Sequence, residues 1–450
     1  MKYVVFFSVL GFGVPLMALG AALSARIRGW LVTALIAASC LDVTATINFF
    51  WIEIYRGSAR GFEITLTDLI ALALVLALIV RFPERVRWWP YNSLWMGLYF
   101  ALACLSFTMV DSQPILTGFA LWKLVRIYLV YWCVYNCLAT GVPLVAILRG
   151  MVIIAVVFIA TATKEKYIDG IYRVRGTLYH PNSLSSYLLP VMPFLAFWGL
   201  GQRRPASPSA LALVLLSLCV GLVVIVSQSR VGLTLMLVMI PTVLLLANRW
   251  RRVLATRVVS GVVMGLLILA AMRGADTVWD RFVNAPQVSG AGRLELNETA
   301  RLMMKDHPFL GIGLNQYSHL ATVRPEYRAH LVIMANDERQ GVVHHMYWLT
   351  AAEMGIPGLL VYLIIIGRFW LLAVRYAWRR GSFESLLLAG YMLGVGAVHL
   401  QALYEWVLRQ TSVAYMFVIM SAMCAYLGEC ERAARATLKR RPGFESGASV

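Results

Sequence analysis

The sequence predicts an all-α polytopic membrane protein with about 12–13 transmembrane helices and one long, partly helical extracytoplasmic loop. Two observations predict this fold class. Hydrophobic residues make up 60% of the 450 residues and charged residues 14%, whereas a soluble protein carries roughly a quarter charged residues. Several apolar runs, such as Val4–Leu23 and Val231–Ala247, approach the roughly 20 residues that a helix needs to cross a bilayer.

Apolar spans separated by polar loops account for most of the chain, and we expect about thirteen of them. If one of the first two spans does not cross the membrane, the count becomes twelve. The expected spans lie near residues 4–23, 30–50, 64–80, 94–110, 118–138, 143–163, 184–200, 209–227, 232–248, 256–272, 343–366, 384–402 and 411–427.

Basic residues in the short loops orient these spans. Arginines cluster at positions 81, 85 and 87, at positions 249, 251 and 252, and in the C-terminal tail. Because such clusters favour the cytoplasmic side of a membrane, we expect loops 164–183, 228–231 and 273–342 on the outer side. The net charge of +18 is spread over these loops, so it does not indicate a face that binds nucleic acid.

This orientation divides the chain into four parts. They are the first ten spans (1–272), the outer loop (273–342), the last three spans (343–427) and a basic cytoplasmic tail (428–450). Of the seven cysteines, six fall in apolar spans, and none has the spacing of a metal site. We therefore expect no bound metal and no cofactor.

Two short polar segments on the predicted outer side could bind a substrate. The first, R-V-R-G-T-L-Y-H-P-N-S-L, contains Arg175, His180 and Asn182. It could equally be a turn in which Asn182 or Ser183 caps the next helix. The second, S-Q-S-R-V-G, places Arg230 in a tight turn between two spans, where an arginine could also extend to lipid headgroups.

The outer loop contributes a third candidate group. Residues Ala291–Asp306 have the apolar spacing of an amphipathic helix, with Leu296, Ala300, Met303 and Met304 on one side. Arg293 and Arg301 are eight residues apart, about two turns, so both can point the same way. The alternative is a solvated face on which Glu298 pairs locally with Arg301.

The fourth group is the histidine pair His344-His345, which stands where the loop enters an apolar helix. Histidine is costly in hydrocarbon and can titrate near neutral pH, so this position suits a catalytic base. A helix-entry histidine that contacts water is the alternative. Glu353 lies nine residues on, half a turn out of phase with His344, which predicts a packing role for this carboxylate.

These side chains together favour one kind of chemistry. Guanidinium groups offer bidentate hydrogen bonds to phosphate and stay charged. A neutral imidazole can take a proton from a hydroxyl as that hydroxyl attacks. We find no Walker loop, no zinc motif and no convincing acidic pair on the outer side. The pattern favours transfer onto a hydroxyl from a donor whose leaving group is a phosphate.

Four motifs in order resemble the O-antigen ligase and Wzy-type polysaccharide polymerase superfamily of bacterial envelopes. They are R-x-x-L-Y-H-P-N-S-L, S-R-V-G, R-x-x-x-x-x-x-A with D-H-P-F-L-G-I-G, and H-H-M-Y-W-L-T-A-A-E-M-G-I-P-G-L-L, between Arg173 and Leu360. The resemblance implies a multi-pass protein of the inner membrane. It also implies metal-independent, inverting transfer, at the periplasmic face, of a glycan carried by undecaprenyl pyrophosphate.

The resemblance also implies roles for individual residues. His344 matches the family histidine, and Glu353 and Gly355 follow at the expected distances. His345 stands where the family often has asparagine, which leaves open which imidazole acts. The implied donor-binding arginines are Arg230 and Arg293, with Arg175 as a third.

The acceptor separates two enzymatic interpretations. A polymerase would extend another lipid-linked repeat unit and could work with a chain-length regulator, and the segment H-P-N-S-L-S-S-Y-L favours this interpretation weakly. A ligase would transfer the glycan to lipid A-core. The alternatives of another class are a glycolipid flippase or transporter, whose path the arginines would line, and a structural partner in an envelope complex.

Overall fold

The computed structural model describes residues 2–41, 46–205, 207–250, 287–332, 341–378 and 382–439, with scattered residues between 254 and 265. Within these ranges the chain is an all-α polytopic membrane protein, as its composition predicts. Nine helices in the described part are long and apolar enough to cross a membrane. They are Tyr3–Leu23, Pro114–Ala139, Val145–Tyr167, Pro181–Leu200, Pro208–Val226, Arg230–Trp250, Met346–Ala377, Phe383–Gln401 and Thr411–Ala434.

Seventeen α-helices in the described ranges are numbered here in chain order, and the first two are joined by a π-helical turn at Val9–Gly13. They are α1 Lys2–Ser8, α2 Val14–Leu23, α3 Ala25–Ala38, α4 Leu66–Arg81, α5 Ser93–Ser106, α6 Pro114–Ala139, α7 Val145–Tyr167, α8 Pro181–Leu188, α9 Val191–Leu200, α10 Pro208–Val226, α11 Arg230–Trp250, α12 Gln287–Asp306, α13 Tyr317–Val323, α14 Pro325–Arg328, α15 Met346–Ala377, α16 Phe383–Gln401 and α17 Thr411–Lys439.

The expected span at residues 30–50 is wrong in its second half. Helix α3 ends at Ala38, and β1 (Thr46–Phe49) pairs antiparallel with β2 (Phe62–Thr65). An apolar run without helical periodicity can be a strand, and isoleucine and phenylalanine favour strands. The hairpin lies between α3 and α4, which at 14 and 16 residues are shorter than the nine helices named above. Most of the expected span 256–272 lies outside the described residues.

The amphipathic helix expected at 291–306 is confirmed as α12, which begins four residues earlier at Gln287. Leu296, Ala300 and Met303 are fully buried in an apolar cluster with residues of α13 and of the first turns of α15. The hydroxyl of Tyr317 donates to the carbonyl oxygen of Leu296 at 2.8 Å and closes this cluster. Helices α12 and α13 therefore pack on the beginning of α15. The end of the helix bundle at which α15 begins is called here the loop end.

Helix α15 is interrupted at Gly355, where φ is +69° and ψ is −175°. The turn before α13 fills the break with its backbone. Ile312 N donates to Ala352 O at 2.9 Å, Gly313 N to Glu353 O at 3.1 Å, and Ile356 N to Pro308 O at 2.8 Å. The loop segment 307–316 thus provides hydrogen-bond partners for the backbone groups that the break leaves unpaired. These bonds fix the position of the segment along α15.

Glu353 lies in the same interlock and forms a buried ion pair with Arg409, with Arg409 Nη2 2.9 Å from Glu353 Oε2. Its carboxylate joins α15 to the connection between α16 and α17. The packing position expected for Glu353 is therefore observed.

The two glycines at this contact should not tolerate a side chain. A Cβ at Gly355 would lie 2.4 Å from Phe309 O, and one at Gly311 (φ +67°) would lie 2.3 Å from the carbonyl carbon of Glu353. The left-handed conformation alone costs a residue other than glycine ~1–3 kcal/mol. We expect Gly311→Ala and Gly355→Ala to lower the unfolding temperature clearly in fluorescence-detected size-exclusion chromatography.

The matched control is Gly367→Ala in the same helix, where a Cβ meets nothing within 4 Å. It should leave the unfolding temperature unchanged or raise it slightly, because alanine favours helix over glycine. Equal unfolding temperatures for all three variants would contradict the backbone interlock.

Candidate functional site

A buried carboxylate, Glu405, is the centre of the polar groups at the loop end. It lies in the connection between α16 and α17, and its side chain is only 5% exposed. This connection is tied to the start of α15 by a bond from Met346 N to Ala402 O of 2.9 Å. Glu405 Oε1 lies 2.9 Å from Arg293 Nη2, and its Oε2 lies 3.0 Å from His344 Nδ1.

Asn182 is the third partner of this carboxylate. Its Nδ2 donates to Glu405 Oε1, and its Oδ1 accepts from Arg173 Nη2 at 3.2 Å. The position of Asn182 follows from the helix N-terminus, because His180 Nδ1 accepts from the Asn182 backbone N at 3.1 Å and caps α8. Gln401 Nε2 donates to Asn182 O at 3.1 Å and fixes the same turn against α16.

These groups surround a small polar cavity of about 160 Å³. Arg230, the first residue of α11, lies in its wall. Three guanidinium groups and one carboxylate therefore line the cavity, which leaves a positive balance suited to an anion. The lining residues are Arg173, His180, Asn182, Ser229, Arg230, Val231, Arg293, Gln401, Tyr404 and Glu405.

The two adjacent histidines point to different partners. His345 caps α15, since its Nδ1 accepts from the backbone N of Trp348 at 3.2 Å. An accepting Nδ1 places the proton of the neutral ring on Nε2, so this ring has no free acceptor nitrogen. His344 Nδ1 instead lies 3.0 Å from Glu405 Oε2. Because an ionised carboxylate can only accept, this contact favours the tautomer in which Nδ1 carries the proton and, in the neutral ring, Nε2 is an acceptor.

Burial and neighbouring positive groups shift the pKa of Glu405 in opposite directions. Burial alone would raise the pKa of Glu405, but the hydrogen bond with His344 and the positive charge of Arg293 outweigh it, so the pKa lies below its ordinary value. Glu405 is thus an anion at neutral pH. Desolvation lowers the pKa of His180, although the carboxylate of Glu405 acts against it, and desolvation also lowers the pKa of His345. Both shifts favour the neutral form of these capping rings.

Two predicted binding residues lie away from this cavity. The side chain of Arg175 is exposed, and its backbone N donates to Glu165 Oε2 at 2.8 Å. Arg301 pairs with Glu298 at 2.6 Å and stacks over the ring of Trp348 at 4.8 Å from its centroid. This is the local pairing considered as the alternative for Arg301. Substrate-binding roles for Arg175 and Arg301 stay predictions.

The structure brings together five of the predicted residues, His180, Asn182, Arg230, Arg293 and His344. Sequence reasoning missed Glu405 and Arg173, which complete the group. The signal for Glu405 was a single acid in the short segment L-Y-E-W-V-L-R between the last two spans, on the side expected to be outside. Arg173 stands two residues before the predicted Arg175, and only the local backbone decides between them.

One family model, described as O-antigen ligase, matches residues 211–363. This range contains Arg230, Arg293 and both histidines of the pair, whereas Asn182 and Glu405 lie outside it. No curated protein matches the chain. The match covers about a third of the 450 residues and supports the resemblance to the O-antigen ligase and Wzy-type polymerase superfamily.

Proposed function

We propose that this protein transfers a glycan from undecaprenyl pyrophosphate to a sugar hydroxyl, with inversion and without a metal ion. The family supports glycan transfer of the ligase or polymerase type by a membrane protein. The observation that carries the finer proposal is the pair formed by His344 and Glu405 at 3.0 Å, beside a cavity lined by three arginines.

In this mechanism His344 is the general base. Its Nδ1–H donates to Glu405, so Nε2 accepts the proton of the acceptor hydroxyl as the hydroxyl oxygen attacks the anomeric carbon. The new glycosidic C–O bond forms while the bond from the same carbon to the pyrophosphate oxygen breaks. A single displacement inverts the anomeric centre and leaves the proton on His344, where the anionic Glu405 stabilises the imidazolium.

The arginines supply the remaining stabilisation. Guanidinium groups in a small cavity can hold the pyrophosphate before reaction and stabilise the charge that it gains on leaving. Glu405 holds Arg293 Nη2 at 2.9 Å, so the same carboxylate that orients the base also positions a donor-binding group. Arg173 and Arg230 complete the guanidinium lining.

An apolar groove of about 890 Å³ gives the donor lipid a place beside this cavity. It runs between α11, α15 and α16, and its lining includes His345, Leu235 and Leu403. Leu235 follows Arg230 on α11, so a polyprenyl chain in this groove would carry its pyrophosphate towards the arginines. We propose that the loop end faces the periplasm and that the protein resides in the bacterial inner membrane, because the basic loops favour the opposite side.

The histidine pair provides the first test. Because a general base contributes roughly 10²–10⁴-fold in rate, His344→Ala should lower transfer by about that factor. His345→Asn should retain most of the activity, because asparagine is a good helix N-cap and can replace the hydrogen bond that the His345 ring accepts from Trp348 N. The measurement is the initial rate of glycan transfer by purified protein with a lipid-linked donor.

Protein yield and donor retention should be the same in both variants, which separates catalysis from folding. An inactive His345→Asn beside an active His344→Ala would assign the base to the other ring. Full activity in both variants would remove the general base from the mechanism.

The second test replaces an arginine of the cavity by lysine, which keeps the positive charge but loses the planar guanidinium group. Arg293→Lys keeps a cation but loses the planar fork, so we expect donor affinity to fall about ten-fold or more. Arg324→Lys is the matched control, since Arg324 pairs with Asp111 outside the cavity and is not a predicted binding residue. Donor affinity is measured as the retention of undecaprenyl pyrophosphate by native mass spectrometry, and equal retention by both variants would contradict the role of Arg293.

A further inference from the structure

Lys123 is a buried cation in a membrane-spanning helix, and the mechanism above does not use it. It lies nine residues after the start of α6 at Pro114, and the residue is 9% exposed. Its Nζ donates to Ser58 O at 2.7 Å and to Arg409 O at 3.1 Å. A charged side chain at such a position is costly unless its partners compensate for lost water. These two acceptors belong to different connections of the chain, so the ammonium group joins them.

The charge of Lys123 is balanced by Glu63 on β2. Burial alone would raise the pKa of Glu63, but the positive charges of Arg126 and Lys123 outweigh it, so the pKa lies below its ordinary value. Glu63 Oε2 also accepts from Thr411 Oγ1 at 2.7 Å. The hairpin therefore contacts the first residue of α17 through an ionised carboxylate.

The connection between β1 and β2 gives Lys123 a fixed support. Asn315, in the loop segment, is fully buried, and its Oδ1 accepts from Ser58 Oγ at 3.0 Å and from Ala59 N at 3.2 Å. Its Nδ2 donates to Ala59 O at 2.9 Å. Because the loop segment is itself fixed along α15, the carbonyl of Ser58 has a fixed position from which it holds Lys123.

The second acceptor of Lys123 lies in the connection that carries Glu405. Residues 402–410 lie between α16 and α17 and are called here the Glu405 connection. Its first residue, Ala402, accepts a backbone hydrogen bond from α15. Near its other end, Arg409 forms the ion pair with α15 described above, and its carbonyl oxygen accepts from Lys123. Glu405 thus lies between two anchored ends, one of which is held by α6.

We infer that Lys123 is a positioning residue: by holding the carbonyl of Arg409 it fixes the Glu405 connection and keeps Glu405 against His344. The inference rests on the proposed function for the roles of Glu405 and His344. The residues that line the polar cavity belong to elements other than α6, so Lys123 acts on the site through the connection. Such an anchor matters because a misplacement of about 1 Å can lower a reaction rate about 100-fold.

The test begins with Lys123→Met, which removes the ammonium group and keeps an unbranched side chain. Replacing a buried charge by an apolar group often changes stability little, whereas the Glu405 connection loses an anchor. We therefore expect kcat to fall about ten-fold or more. The measurement uses purified full-length protein, an undecaprenyl-pyrophosphate-linked donor, and lipid A-core or a lipid-linked repeat unit, whichever the wild-type protein extends.

A second background separates positioning from a general loss of folding. Glu405→Ala removes the carboxylate that Lys123 is inferred to position. Lys123→Met should then lower the transfer rate less than about two-fold in the Glu405→Ala background, because the two residues act as one unit. A general loss of folded protein would lower the rate by the same factor in both backgrounds, and equal factors would overturn the inference.

Hydrogen exchange of residues 402–410, followed by mass spectrometry, gives a readout that does not depend on transfer. Several amides of this connection donate backbone hydrogen bonds, so they exchange slowly while the connection is fixed. Lys123→Met should raise their exchange rate about ten-fold, as expected for the loss of one charge-assisted hydrogen bond. The matched control is Asn136→Leu, which lies about 20 Å further along α6 and removes a 2.8 Å bond that Asn136 Oδ1 accepts from Arg87 N.

Asn136→Leu should leave both kcat and the exchange of residues 402–410 unchanged. Equal exchange of this connection in Lys123→Met and Asn136→Leu would overturn the inference. If Lys123→Met does not yield folded protein, Lys123→Gln takes its place under the same criteria, because its amide nitrogen lies one bond short of the position of Nζ. If the wild-type protein forms no product, the proposed function fails, and the exchange comparison decides separately whether Lys123 holds the connection.

Discussion

The arrangement of the site depends on one buried carboxylate. Glu405 is held by Asn182 from α8, Arg293 from α12 and His344 at the start of α15. A buried charge without partners would destabilise the fold by roughly several kcal/mol. The three segments are therefore stabilised in the positions from which they supply hydrogen-bond partners to Glu405. The same requirement that satisfies Glu405 therefore places Arg293, the proposed donor-binding cation, and His344, the proposed general base, on the same carboxylate.

The backbone contact at Gly355 fixes the position of the loop segment along the axis of α15. Helix α12, which precedes the loop segment, carries Arg293, and α15 carries His344, so any sliding between them would separate the two groups that share Glu405. Hydrogen bonds from Ile312, Gly313 and Ile356 close the break in α15 and prevent such sliding. The G-I-G and E-M-G-I-P-G stretches, which look like site motifs in the sequence, act through their backbone.

Sequence alone predicts the parts of this protein that depend on local pattern. Hydropathy predicts the fold class, and apolar spacing predicts α12, because both signals lie within one segment. The strand Thr46–Phe49 was missed because an apolar run without periodicity fits two structures. Glu405 was missed for another reason: it lies 61 residues from His344 and 223 from Asn182 along the chain, so only the packing of the helices brings them together. The different partners of His344 and His345 likewise depend on which of the two rings caps α15, and adjacent residues of the same type give no sequence signal for this.

The most direct test of this account is a double-mutant cycle on His344 and Glu405. The transfer rate is measured for wild-type protein, His344→Ala, Glu405→Gln and the double variant, with donor retention as the control for Arg293. If Glu405 acts by orienting the base, Glu405→Gln should lower the rate strongly in the wild-type background and only slightly in His344→Ala, because the base is already absent. Equal factors in the two backgrounds would show independent action and would contradict the central claim.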